Sequence, residues 1–504
     1  MTGPPATAVL REASHARAAR ALGWAALWTA GAAVAAIWLP YYVVGHDEGL
    51  VLQAAERIAA GQWPYSDFWW NYGPGQPLVL AGLRELFGPS LLDWRLLRAA
   101  SDATTAVLVF AIVRRRAALP VAALAWTASL GMLVIARLPN PNAAVTLLAI
   151  AAVALASRRP SVAGALGGAA VLFRPELGAV AAVCAVIGAG RAGAIRAAAW
   201  AGGMAVALMA PFVIAAGPRL VWRSTVGFDA GEQSLQRLPF PPTYSGGFDP
   251  VAILHFYLPT LLVAGFVVAL IGLWPWRRAP TEAVALVPLG AAGIVYLVGR
   301  ADLFHVLPLG AVLPLLLGVA AGVDWQLRRP LAVVCLAVLV LVAVDGVARR
   351  VDLVGGPPPL AAIDSSVADG VSAPIDDAVP LNRVVAWLDA HVPPGRAIFV
   401  ANRRNDRVLS GQTIVYVLAQ RPNATRYDVL QPGVFTSLAV QREIVGDLAR
   451  KHPVVVRWLA PQAAGGEDSP AARQHGARIL DDFLRRHYRT VLDRGPYAVQ
   501  SWAR

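Results

Sequence analysis

Long apolar stretches alternate with short polar punctuation through the first 350 residues of the chain, and then the pattern stops. A helix needs about 20 apolar residues to cross the ~30 Å hydrocarbon layer of a bilayer. Runs near that length, bounded by charge or by Pro and Gly, lie at residues 20–43, 91–113, 119–136, 141–157, 160–173, 177–190, 194–216, 252–274, 282–299, 303–321 and 330–348. The pattern predicts an α-helical polytopic membrane protein with about eleven transmembrane helices in a body covering residues 1–350. The fifth and sixth runs are short, and read as a tilted pair or as a re-entrant hairpin bent at Arg174 and Pro175; either way the chain returns to the same side.

Three polar regions stand outside the spans: residues 44–90, residues 217–251, and everything after residue 350. In the first, Val51, Ala54, Ala55 and Ile58 recur at helical spacing, which predicts a helix over residues 47–61 lying along the membrane surface. A second apolar segment, residues 77–87, dips back toward the bilayer. The last region opens with a Gly/Pro/Ser/Asp-rich linker at residues 351–380. Residues 381–504 then read as helices near 381–391, 436–451 and 474–487 alternating with strands near 396–401, 453–459 and 497–502, a small soluble α/β domain. It contains no Gly-rich phosphate loop, no metal-spaced His/Cys cluster and no nucleophile elbow.

Composition changes the picture only by reinforcing it. Of 504 residues 57% are hydrophobic and 15% charged, and the mean hydropathy is +0.54, more apolar surface than a soluble core can hide. The net charge of +13 is almost all arginine, since Lys451 is the only lysine. Short basic clusters between apolar runs, with no zinc-finger spacing, RNA-binding aromatic motif or basic helix, argue against a nucleic-acid partner. The two cysteines, Cys184 and Cys335, lie inside apolar runs and imply no disulfide. The first run follows Arg11, Arg17 and Arg20 and continues through Ile37, Trp38 and Leu39, so it reads as a retained span rather than a cleaved signal.

Arginine placement tests the span count, because short cytoplasmic loops collect Lys and Arg. With the N-terminus inside, Arg114, Arg115, Arg116, Arg158, Arg159, Arg277, Arg278, Arg328 and Arg329 all fall inside, whereas the short outside loops hold only Arg137, Arg174 and Arg300. A miscounted span would scramble the alternation from that point on. The expected placement is a bacterial inner membrane, with a cytoplasmic N-terminus and an extracytoplasmic C-terminal domain.

The first exported loop carries the densest chemistry: HDEGLVLQAAERIAAGQWPYSDFWWNYGPG over residues 46–75. An acidic pair directly after the first span, then G-x-x-P-Y-x-D-F and Y-G-P leading into the second, resembles the GT-C superfamily of membrane glycosyltransferases, whose members include protein O-mannosyltransferases and the aminoarabinose lipid A transferase. The RADLFHVLPL stretch at residues 300–309 is also similar to bacterial members. The resemblance covers the span-containing body and implies a polyprenyl-phosphate-linked sugar as donor, a site built from exported loops, a cell-envelope acceptor, and Asp47 as the base on that acceptor, beside Glu48. A sugar on a lipid phosphate already has a leaving group, so the protein must deprotonate an acceptor hydroxyl, hold both reactants and neutralise the phosphate. Without the resemblance, the acids at the start of a helix equally read as complements to its dipole.

Phosphate needs cations, and Arg174, Arg300 and His305 are the candidates in the exported loops. The alternative is that the arginines mark span ends at the head-group level and that His305 is a hydrogen-bonded core histidine. Tyr65, Trp69, Trp70 and Tyr72 are candidates to stack on the sugar or the isoprenoid, although aromatic residues also gather at any membrane interface. Arg95, Arg98 and Asp102 share one face of the second span, a pattern that favours a structural salt bridge. Many relatives place a second acid in the next exported loop; here residues 137–142 read RLPNPN, which offers no paired acid for a divalent metal, and no cofactor is expected. The rival functions are a flippase for lipid-linked saccharides and a non-catalytic envelope scaffold. Internal repeats, the usual mark of a transporter, are not evident.

Overall fold

The structure, a computed structural model, describes residues 6–133, 141–228, 233–240, 250–272, 280–322, 329–463 and 469–503. Every predicted span falls on a helix: α1 (Ala6–Ala36), α4 (Leu91–Arg114), α5 (Leu119–Leu133), α6 (Ala143–Ala156), α7 (Pro160–Ala170), α8 (Pro175–Gly188), α9 (Gly190–Ala216), then, after the short α10 (Pro218–Trp222), α11 (Pro250–Gly272), α12 (Thr281–Gly299), α13 (Leu303–Gly322) and α14 (Arg329–Gly355). Among the described residues, five of these helices are long and apolar enough to cross a membrane by length and composition. At 1.5 Å per residue α7 is only about 16 Å long. It packs against α8 and turns into it through residues 171–174, with Arg174 N–H donating to the Ala170 carbonyl and Pro175 at the first position of α8.

Between α1 and α4 lie α2 (Asp47–Ala59) and α3 (Gly75–Phe87), at the two places where the apolar pattern puts them. The environment of α2 differs from that of a surface helix. Glu48 through Ala55 are all buried, because α2 is covered by the C-terminal domain as well as by the membrane helices. Gly49 shows how closely: a Cβ there would stand 2.1 Å from the backbone nitrogen of Ile414, so only a glycine admits that approach. Gly73 plays the same part at the other end of the loop, where a Cβ would meet the Leu172 carbonyl oxygen at 2.2 Å, and the neighbouring Gly75 N–H donates to that carbonyl at 2.8 Å.

The C-terminal domain is built on a four-stranded sheet in the order β3-β4-β6-β5, with β3 (Ile398–Asn402) parallel to β4 (Val454–Trp458) and antiparallel pairing to β6 (Tyr497–Trp502) and β5 (Tyr488–Arg494). A small antiparallel ladder of β1 (Leu360–Ala362) and β2 (Ser372–Pro374) precedes it. Helices α15 (Ile375–His391), α17 (Leu438–Lys451) and α19 (Ile479–His487) pack around the sheet, with α16 (Ile414–Leu418) and α18 (Pro470–Arg473) as short connectors. Ser437 caps α17 through its side chain. Beyond β1 and β2, which fall in the stretch expected to be a linker, the strand missing from the apolar pattern is β5. Its residues Arg489, Thr490, Asp493 and Arg494 are solvent-facing, and it exists as the outer arm of a hairpin with β6.

One hydrophobic core runs from Leu50 and Phe68 in the first loop to Val400, Ile414 and Phe435 in the C-terminal domain. Backbone bonds stitch the two together: Ile414 N–H to the Gly45 carbonyl (2.9 Å), Trp69 N–H to the Arg426 carbonyl (2.9 Å), Tyr42 N–H to the Ser372 carbonyl (2.7 Å). The buried Arg57 donates to Asp428 Oδ1 at 3.1 Å and to the Thr425 carbonyl at 2.5 Å. On the membrane side a second buried pair fixes the loop. Arg95 of α4 grips Glu48 with both arms of its guanidinium, Nε to Oε1 at 2.6 Å and Nη2 to Oε2 at 2.8 Å, and also donates to the carbonyls of Leu39 and Tyr42. Both side chains are wholly inaccessible to solvent. Arg95 thus pairs with an acid from the loop, while Arg98 lays its guanidinium over Trp38 (4.6 Å) and Trp94 (5.1 Å).

Removing one member of a buried pair strands the other charge, at a cost of about 3–5 kcal/mol. Glu48→Ala is therefore expected to lower the apparent melting temperature of the purified protein sharply, and a variant that melts with the parent would show that the pair does not hold the loop. Gly49→Ala should free the C-terminal domain from α2, read as new protease cleavage between residues 356 and 414; an unchanged digestion pattern would argue against the tight contact.

Candidate active site

A cavity of about 230 Å³ opens where the first loop, the α7–α8 turn, the α12–α13 junction and the C-terminal domain meet. Asp47, Trp70, Tyr72, Arg174, Arg300 and His305 all line it, so residues separated by up to 258 positions in the chain are brought together. Glu48, Tyr65 and Trp69 are not part of its wall. Glu48 is held by Arg95 as described. Tyr65 is buried with its hydroxyl donating to the Tyr72 carbonyl at 2.7 Å, in the left-handed backbone region (φ 73°), and so shapes the turn that presents Tyr72. The ring of Trp69 packs edge-on against Phe228 at 5.1 Å.

Asp47 owes its position to its neighbour. It begins α2, one residue before the Glu48 that Arg95 clamps, so the first turn of the helix cannot rotate and the half-buried Asp47 is turned into the cavity. Among the described residues its carboxylate has no hydrogen-bond or ion-pair partner. A carboxylate with open lone pairs in a partly enclosed site is equipped to accept a proton from a bound hydroxyl.

The opposite part of the lining is cationic and pre-arranged. Asp302 sits just before α13, where its Oδ1 accepts from the N–H groups of Phe304 and His305 (3.0 Å each) and from His305 Nδ1 (2.6 Å), while Oδ2 takes Arg300 Nε at 2.6 Å. Burial alone would raise the pKa of this carboxyl, but His305 and Arg300 outweigh it and hold it down at about 2. A single acid thus fixes both a guanidinium and an imidazole. Arg300 also donates to the Gln236 carbonyl at 2.6 Å, and the His305 ring lies over Tyr296 at 4.2 Å. Arg174 donates to Glu176 (2.8 Å) and to the Tyr296 hydroxyl (2.7 Å), with its guanidinium over the rings of Tyr72 (5.0 Å) and Tyr296 (5.5 Å). Planar, permanently charged groups held in this way suit phosphate oxygens.

Several lining residues carry no mark in the sequence. His46 precedes the acidic pair and accepts the Gly411 N–H at Nδ1 (3.4 Å); burial pushes its imidazole below the usual value against the opposing effect of Asp47, so the ring stays neutral near pH 7. Gln431, from the C-terminal domain, donates to the Tyr72 hydroxyl (3.2 Å) and accepts from Asn71 Nδ2 (3.3 Å). Among the described residues neither Oδ1 of Asn71 nor Nε1 of Trp94 has a partner, though both side chains are buried at the cavity wall. Asn71 directly precedes the Y-G-P motif of the first loop, whereas Gln431 is 360 residues from its partner and shows no local pattern. Among the described residues, no three His, Cys, Asp or Glu side chains gather in a way that could hold a metal ion. Arg137, Asn140 and the TYSGGFD stretch at residues 243–249 of the second polar region lie outside the described residues.

No family model matches the chain, and no curated protein matches it by sequence. Its fold does match solved structures. The apo crystal structure of ArnT from Cupriavidus metallidurans superposes with a TM-score of 0.56 at 15% identity, over 96% of this chain and 98% of that one. An oligosaccharyltransferase from Archaeoglobus fulgidus, also apo, superposes with a TM-score of 0.51 at 11% identity, over 86% of this chain and 69% of that one. The chain has the fold of these two structures, as the resemblance implied, with the small sheet-containing domain at its C-terminal end, and is an integral membrane protein by its apolar helices and that architecture.

A carboxyl held at a pKa of about 2, below an unfolded value of about 3.9, stabilises the folded chain fully above about pH 4, and that contribution is lost as the pH falls through about 2. In Asp302→Asn the loss of melting temperature between pH 4 and pH 2 should be shallower than in the parent, and Arg300 and His305 should lose their order. Identical acid limbs in the two proteins would mean that Asp302 is not held by its neighbours.

Proposed function

We propose that the chain is a glycosyltransferase of the bacterial inner membrane, with its N-terminus cytoplasmic and its C-terminal domain extracytoplasmic. It moves a sugar from a polyprenyl-phosphate donor to a glycan, lipid or protein of the cell envelope. The observation that carries this reading is the Asp47 carboxylate, without a hydrogen-bond or ion-pair partner among the described residues, facing a cavity that also holds Arg174, Arg300 and His305. A base and an anion receiver within one enclosed site are the two functions that transfer from a lipid phosphate demands, and the GT-C fold supports the same reading.

In this reaction Asp47 takes the proton of the acceptor hydroxyl, whose oxygen forms a bond to the anomeric carbon from the side opposite the phosphate. The bond from that carbon to the phosphate oxygen breaks, and the electron pair leaves with the lipid phosphate, so the configuration inverts. Arg174 and Arg300 neutralise the departing anion, and His305 is oriented by Asp302 to hydrogen-bond it. Trp70 and Tyr72, joined edge to face at 5.6 Å, present aromatic surface to the sugar. The open Oδ1 of Asn71 and Nε1 of Trp94 are placed for hydroxyls. Glu48 acts on the chemistry only by fixing Asp47.

Loss of a general base typically costs about 10²–10⁴ in rate. Asp47→Asn is expected to reduce donor-dependent transfer by at least ~100-fold in membranes or nanodiscs, with melting temperature and donor binding unchanged because the Asp47 carboxylate holds no hydrogen bond or ion pair among the described residues. Transfer at the parental rate would remove Asp47 as the base. Arg300→Gln should weaken binding of the polyprenyl-phosphate sugar while leaving a neutral acceptor analogue unaffected.

A further inference from the structure

The C-terminal domain holds a second cavity, of about 530 Å³, that shares no lining residue with the first. Arg403, Arg404, Arg457, Arg478 and Arg485 face it against only Asp406 and Asp481. Both acids are already engaged. Asp406 takes Arg404 in a bidentate grip (2.9 and 2.6 Å), and Asp481 accepts from the backbone and side-chain nitrogens of Asn405 (2.9 and 2.8 Å). Arg485 pairs with Asp482, Arg478 reaches Asp406 only at 3.9 Å, and the exposed Arg403 side chain has no partner among the described residues. The cavity therefore carries an excess of guanidinium charge.

Its polar atoms point to a ligand independently of the charge. Arg457 and Gln500 share one face of the sheet, because Val455 pairs with Gln500 and lies two residues from Arg457 on the same strand. Among the described residues Nε of Arg457, Oη of Tyr488 and Oε1 of Gln500 are buried with no hydrogen-bond partner, and Tyr488 as a whole is only 5% exposed. Buried polar atoms are otherwise satisfied in folded proteins. No aliphatic side chain among the described residues lines this cavity, so nothing in it would receive an acyl chain. Its volume lies in the range of small-molecule sites, roughly 300–1,000 Å³, well above what a bare phosphate fills.

We propose that this cavity binds a phosphorylated saccharide, with the arginines taking the phosphate and Tyr488 and Gln500 taking sugar hydroxyls. The assignment goes beyond the transfer reaction and does not depend on it. The loop that begins with Arg403 and Arg404 continues to Leu409 and Ser410, which line the first cavity. A ligand here consequently lies against a segment shared with the candidate active site.

The test is calorimetric titration of the full-length protein in phosphatidylcholine nanodiscs with glucose 1-phosphate, glucose and inorganic phosphate. Glucose 1-phosphate should bind more tightly than inorganic phosphate, less tightly as salt is raised, and glucose should not bind. The double variant Arg403→Ala/Arg478→Ala, which alters two exposed side chains, should weaken binding at least ~10-fold. Tyr488→Phe, which keeps the ring, should weaken glucose 1-phosphate binding but not that of inorganic phosphate. Absence of glucose 1-phosphate binding, equal affinity in the double variant, or inorganic phosphate binding as tightly as the sugar phosphate would overturn the proposal. So would arginine-dependent sedimentation with phosphatidylglycerol vesicles by a protein that ignores glucose 1-phosphate, since the ligand would then be a lipid surface.

Discussion

A single buried ion pair, Glu48 with Arg95, sets the geometry on which the candidate site depends. Burying two opposite charges gains little stability over an apolar pair of the same shape, so its value here lies in direction. Arg95 binds two carboxylate oxygens and the carbonyls at the end of α1 in one planar fork. The exit of α1, the start of α2 and the second span therefore move as one body. Asp47 inherits that rigidity without sharing the charge. The adjacent acids have divided the work: one is neutralised to hold the backbone, and the other remains open to the cavity.

The same division recurs across the cavity. Asp302 spends its charge on Arg300 and His305 and on two backbone amides, giving the cationic side a fixed shape before any anion arrives. Preorganised charge of this kind avoids reorganisation during reaction, which is where enclosed sites gain most over water. The aromatic residues of the first loop split likewise, Trp70 and Tyr72 facing the cavity while Tyr65 and Trp69 support the turn from behind.

The apolar periodicity made the membrane helices legible, because burial in lipid imposes one composition over a fixed length, and α4, α9 and α12 through α14 follow it closely. The strands β3 and β4 were legible for a related reason: both are nearly continuous apolar runs buried in the sheet. What escaped was whatever depends on distant partners. β5 is a polar strand that exists through its hairpin neighbour. Pattern alone gave α2 a free outer face, whereas Ile414 and its surroundings cover it. Within the candidate site, Arg174, Arg300 and His305 stood out as ionisable groups beside apolar runs, whereas Asp47 stood out through the resemblance of its loop to the GT-C pattern. Glu48 looked equivalent to Asp47 until Arg95 was seen to claim it, and Gln431 has no local feature to distinguish it from any other polar residue of the domain.

The core shared by the first loop and the C-terminal domain also bears on biogenesis. His46 and Asp47 leave the ribosome more than 360 residues ahead of Leu409, Ser410 and Gln431, which complete the wall around them. A chain truncated before that segment would carry an unfinished crevice, with Leu50 and Phe68 of the shared core left uncovered on that side. Competence thus waits on a single docking event between two stretches far apart in the chain, the first loop and the segment around Leu409 to Gln431.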